Sequence, residues 1–132
     1  MKSFKIIVLG LLLFICNACK KDDKQKAQID GTWELKSSTN GLTGKAETYP
    51  IDNGNLIIFS EANYQIFSDH KMIRSGTFKI VEETSLIHNQ KGKRLIYDNE
   101  PDQIRTFLNI KGDELEIYID AFDGSSALYV KK

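Results

Sequence analysis

Cysteine is scarce in this chain, and its placement excludes several chemistries at once. There are two, Cys16 and Cys19, three positions apart, with no third or fourth to complete a tetrahedral metal set. The two histidines, His70 and His88, are isolated, with no carboxylate or second histidine at ligand spacing, so no metal centre and no cofactor is expected. Charge of one sign is lacking too: 18 basic residues balance 18 acidic ones, which argues against a phosphate-backbone binder and hence against nucleic acid as a partner. The longest apolar run, Ile6 to Ile15, has ten residues interrupted only by Gly10. A spanning helix needs about 20, so a transmembrane anchor is excluded there. Only two prolines occur, Pro50 and Pro101, both in loop-like surroundings.

What is present begins with that short run. Lys2 and Lys5 precede it, and Asn17 and Ala18 follow, the arrangement of a secretory signal with small residues before the cut. The segment from Ile15 to Cys19 resembles the lipobox of bacterial lipoproteins. The resemblance implies cleavage after Ala18 and attachment of lipid to the thiol of Cys19, with Cys16 standing where an aliphatic residue is usual. Cutting before Cys16 would place bulky Ile15 at the cleavage site, so Cys19 is the expected attachment point. Residues 1–18 then form the signal peptide. Their removal leaves 114 residues with 16 basic and 18 acidic side chains, no free thiol and no disulfide. Packing alone must stabilise that chain in an oxidising compartment.

Residues 19–30, the lipidated cysteine and a charged stretch with no aromatic, cannot bury enough surface to order themselves and read as a tether. Its first four residues after the cysteine, Lys20, Lys21, Asp22 and Asp23, resemble the lysine-then-acidic export signals of some Gram-negative lipoproteins. That likeness implies an outer-membrane protein facing outward rather than into the periplasm. The plainer alternative is a solvated spacer.

From Ile29 onward the apolar pattern has period two. Glu114 to Asp120 alternates, with Leu115, Ile117 and Ile119 on one face and Glu114, Glu116, Tyr118 and Asp120 on the wet one. Ile104, Leu108 and Ile110 form a matching strand, joined to it by a turn at Lys111 to Asp113. Similar strands read as GTWELKS, NLIIFS, NYQIFSD, RSGTFKIV, TSLIHN, KRLIYD and ALYVKK, separated by NG, EAN, EET, KGK and DGSS turns. Lys91, Lys93 and Arg94 around Gly92 are expected at a solvated hairpin tip. About eight short strands with no long helix predict an all-β domain over residues 31–132. It is expected to be a single antiparallel up-and-down barrel, since closure removes exposed edges.

IDGTWELKSS, with Gly31 and Trp33 opening the first strand, is similar to the start of lipocalin-like domains, and NLIIFSEANYQI followed by SGTFKI resembles their next strands. The resemblance implies that Gly31 allows a close turn and that Trp33 plugs one end of the barrel beneath an arginine from the last strand. That strand departs from the pattern, offering only Lys131 and Lys132, with Arg105 and Arg74 as substitutes. It also implies a small apolar or amphipathic ligand held among inward aromatics, drawn from Tyr64, Phe78 and Tyr97. Eight strands can equally be filled by their own side chains. That interior suits a packed module engaging a protein partner: an envelope complex component, an inhibited enzyme or a toxin neutralised by an immunity-type lipoprotein. The membrane is a partner through the N-terminal lipid, and the soluble domain is expected to be monomeric.

No catalytic residue is assigned, and the chain is not expected to be an enzyme. Ser68, Asp69 and His70 contain triad elements, but neighbours on a strand point to opposite faces. Glu114 and Glu116 would sit roughly 6.6 Å apart, yet on the wet face of their strand. DAFDGSS, residues 120–126, is too short for a calcium loop and reads as an Asp-Gly turn.

Overall fold

The structure, a computed structural model, describes residues 28–101 and 104–132. The signal peptide, Cys19, the Lys20 to Asp23 stretch and most of the tether lie outside the described residues. Among those described, only Gln28 and Ile29 are helical, and no helix is long and apolar enough to cross a membrane.

Nine strands follow in chain order: β1 (Gly31–Thr39), β2 (Ala46–Thr48), β3 (Leu56–Ser60), β4 (Asn63–Ser68), β5 (Lys71–Thr84), β6 (Lys91–Tyr97), β7 (Thr106–Lys111), β8 (Glu114–Ile119) and β9 (Ser126–Lys131). All pairings are antiparallel. The sheet order is β2-β1-β3-β4-β5-β6-β7-β8-β9, and β1 pairs back onto β9. The result is a closed eight-stranded up-and-down barrel, with the three-residue β2 added outside the ring along Ser37 to Thr39 of β1.

Alternation explains which side chains fill it. Trp33 on β1, Ile57 and Phe59 on β3, Tyr64 on β4 and Phe78 on β5 face inward with Leu95, Leu108 and Leu115 to form one core. Two bulges bend the wall, one between Leu35 and Ser37 against β9 and one opposite Ile66 and Phe67, where Ile73 of β5 is the extra residue. The seam between β6 and β7 is short, joining only Lys93, Arg94 and Leu95 to Leu108, Phe107 and Thr106. Beyond it Ile96 and Tyr97 leave a split in the wall.

Several expectations are corrected here. TSLIHN is not a strand: after Thr84 the chain turns through Leu86 to His88. The cause is the carboxylate of Asp120, which accepts from Ser85 Oγ at 2.5 Å, Leu86 N at 2.8 Å and Ile87 N at 3.3 Å. Asp120, expected on a wet face, is therefore buried, and the β5–β6 connection leans over the outer wall so that His88 meets Tyr118. KGK is not a turn but the start of β6, and Arg94 is not at a solvated tip. It is buried, bonded to Glu83 at 2.8 Å and to the carbonyl of Pro101. Glu82 and Glu83, read as a turn, lie within β5. Ile104 precedes β7 and is 70% exposed instead of joining Leu108 inside. Phe107, fully buried but on the outward-facing side of β7, belongs to a small second core under the leaning connection, stacked with Tyr118 at 5.9 Å.

Candidate functional site

The two ends of the barrel are chemically different. At the end where β1 begins, Trp33 is fully buried and donates from Nε1 to the carbonyl of Ile29 at 2.7 Å, so its one polar atom is satisfied. Lys131 Nζ lies 5.2 Å from its ring centroid, so the cation over the tryptophan comes from β9 and is a lysine. Arg105 and Arg74 are engaged elsewhere, over Phe107 and over the tyrosines respectively. Gly31 adopts φ 135°, a conformation that strains any residue with a Cβ. This end is closed.

The middle is filled by aromatics. Phe59 and Phe78 meet edge-to-face at 4.8 Å, and Tyr64 and Tyr97 at 4.6 Å. Of the three residues expected to contact a ligand, Tyr64 and Phe78 are thus part of this buried packing; Tyr97 lines the cleft beyond the β6–β7 seam, and Tyr64 also borders a separate cleft of about 460 Å³ between β3, β4 and β5. Burial raises the Tyr97 hydroxyl well above its ordinary range, helped by the nearby Tyr129 and Tyr64, and pushes Tyr129 up to about 12. Both stay neutral at physiological pH.

Asp98 latches the opposite rim. The residue sits at φ 55° in the turn after β6, and its carboxylate accepts from Tyr64 Oη at 2.8 Å, Arg74 Nη2 at 3.0 Å and the amide of Thr77 at 3.0 Å. Gly76 makes this contact feasible, since a Cβ there would collide with Asp98 Oδ1. Arg74 then lies 5.3 Å over the Tyr97 ring and 5.6 Å over that of Tyr64. Hydrogen bonds from Tyr64 and Arg74 hold the Asp98 carboxyl below its ordinary 3.8, and burial with the Asp98 bond raises Tyr64.

A depressed carboxyl contributes stability that is complete above the unfolded value and is lost as pH falls through the folded one. Asp98→Asn is therefore expected to flatten the acid limb of a plot of urea midpoint against pH below about pH 4. An unchanged limb would assign it to other carboxylates.

Two clefts open at this rim, the mouth. One, of about 610 Å³, lies between β8, β9 and the β1–β2 loop, lined by Ser38, Asn40, Lys45, Ile117, Ile119 and Ala127 among others. The second, of about 460 Å³, occupies the split beyond the β6–β7 seam, lined by Arg74, Leu95, Ile96, Tyr97, Ile104 and Ile119 among others. Ile119 borders both. Sizes of this order, with apolar walls and a few polar groups, are those of small-molecule sites. Sequence reasoning missed Arg74, Asp98 and Ile119. The available signal was Tyr97-Asp98-Asn99, a turn pair ending an apolar strand.

The remaining candidates lie apart from the clefts. Asp69 and His70 are the exposed β4–β5 turn, both at positive φ, and Ser68 precedes them. Glu114 bonds to Lys36 and Glu116 to Asn109 on the outer wall. Among the described residues no group of three or more His, Cys, Asp or Glu side chains is placed to hold a metal. Compared with known proteins, the chain matches no protein-family model and no curated protein.

Proposed function

We propose that this protein is a lipid-anchored binding module, attached through Cys19 and displayed outward by Lys20 to Asp23, that holds a small amphipathic ligand at the barrel mouth. The observation that supports it most is the pair of clefts meeting at Ile119 above a filled core. The ligand is held shallowly in this reading, with its apolar part along Leu95, Ile96 and Ile119. Arg74 and the hydroxyl groups of the β8–β9 rim are left for its polar end. The packed interior favours a second reading, a solid module that engages a protein partner through its surface.

Titration of the unlipidated chain with a fluorescent fatty-acid probe separates the two. Saturable binding is expected, weakened at least tenfold when Thr106→Trp fills the β6–β7 cleft without moving the urea midpoint. No saturable binding would leave the protein-partner reading. In cells, acyl-chain labelling is expected on wild type and absent from Cys19→Ser. Label retained on Cys19→Ser would refute the anchor.

A further inference from the structure

The mouth differs from the closed end in what it shows to solvent. The turns at the closed end, Glu61–Ala62 and Gly112–Asp113, present small, polar and charged residues, as do Lys131 and Lys132. The mouth presents large apolar ones. Phe122 in the β8–β9 connection is 95% exposed, Leu42 in the β1–β2 loop 79%, and Ile104 before β7, Met72 and Ile73 at the start of β5 are all more than half exposed. Three of the four connections at the mouth therefore carry one, and Met72 and Ile73 stand on β5 just after the fourth. Two other exposed apolar residues, Ile51 and Leu86, lie where the chain is tied to the outer wall through Asp52 and Asp120. Solvation does not favour such a ring, and exposed apolar groups gathered on one surface mark an interaction site.

We propose that the mouth docks onto a lipid surface, with Leu42, Met72, Ile73, Ile104 and Phe122 entering its apolar layer. Two observations select that occupant. The tips stand on three different loops and on the start of β5, spread around the barrel, so what they share is a rim, which a planar, deformable apolar phase meets without a matching shape. Ile104 also lines the β6–β7 cleft, so the docking rim runs into the candidate site. A ligand passing between lipid and cleft at that point would avoid water. Charges beside the tips are of both signs, with Lys45 and Lys71 against Asp69 and Asp123, so the contact is apolar and not adsorption to an anionic surface. The inference goes beyond the binding function above and rests on it only for the mouth being the working end.

The test uses the chain without residues 1–18 and carrying Cys19→Ser, so that neither the apolar leader nor an acyl group masks the effect, and phosphatidylcholine vesicles with no added ligand. Co-sedimentation is expected and should change little between low and high salt. Replacing Leu42 and Phe122 together with Ser should lower the partition coefficient roughly tenfold per side chain removed. Both are exposed, so the fold should keep its urea midpoint. A tryptophan placed as Phe122→Trp should be quenched by brominated acyl chains, and one placed at the closed end as Ala62→Trp should not. Equal quenching at both positions, or no sedimentation of the parent chain, overturns the proposal. So does self-association in the absence of vesicles that Phe122→Ser abolishes, since a second copy would then cover the rim. Because no ligand is present, failure here is separable from failure of the fatty-acid titration.

Discussion

Trp33→Ala lowers the urea midpoint of the unlipidated chain more than any other single substitution expected here. The side chain is fully buried, fills the closed end, and carries a hydrogen bond to Ile29 and the ammonium of Lys131 over its ring. Truncating a buried tryptophan costs about 3 to 5 kcal/mol, against the roughly 5 to 15 kcal/mol that holds a domain together. Among the described residues no cysteine exists to limit the unfolded chain covalently. Lys131→Ala removes only the cation and is expected to cost about 1 kcal/mol. Glu116→Ala, with a single exposed bond to Asn109, should stay within about 0.5 kcal/mol. If Trp33→Ala kept the wild-type midpoint and lost probe binding instead, Trp33 would belong to the site and not to the plug.

Asp120→Ala is expected to act nearly as strongly by a different route. Burial opposes the charged form of this carboxylate. The donors from Leu86, Ser85 and Ile87, with the charge of Arg105 at 3.5 Å, outweigh it and hold the pKa below its ordinary value. Removing the acceptor orphans two amides and a hydroxyl at about 1 to 3 kcal/mol each where water cannot replace it. It also leaves Arg105 with Glu83 as its carboxylate partner. A loss of about 3 kcal/mol or more is expected. Amide exchange at Leu86 and Ile87 should rise far more than at Leu108 in the core. Asp120→Asn keeps one acceptor oxygen and should fall between. Unaltered exchange at Leu86 would show that the turn holds itself without the carboxylate.

These residues also mark how far the sequence could be read. In β8 alternation places Leu115 and Ile117 toward the core and Glu114 and Glu116 on the outer wall, because the barrel buries one face there. The roles of Gly31 and Trp33 were legible only through the resemblance of the Gly-x-Trp opening to a known family, since the Lys131 that covers the ring is far away in the chain. TSLIHN has strand composition but becomes a turn because Asp120, 35 positions away, captures its amides. Asp120 in turn looked solvated because only the folded chain brings Ser85 to it. Arg94 has the sequence surroundings of a surface cation, but Glu83 and the Pro101 carbonyl bind it in the fold. Of the mouth, Tyr97 was legible as an inward aromatic. Arg74 on β5 and Asp98 in the turn after β6 were not, because their pairing depends on the space left by Gly76.

The pairing of β1 with β9 has a consequence in time as well as in space. Lys132 reaches Glu34 across 98 positions, and Trp33 lies opposite Lys131, so the ring cannot close until its ninth strand has joined its first. Contacts this distant in sequence make folding slow, on the order of milliseconds to seconds, since loop-closure entropy is spent before the pairing returns anything. A chain threaded through a membrane from its N-terminus would carry β1 across with its partner strand still behind. It would stay open, with its tryptophan unsheltered, until β9 followed, and so would remain extended enough to pass.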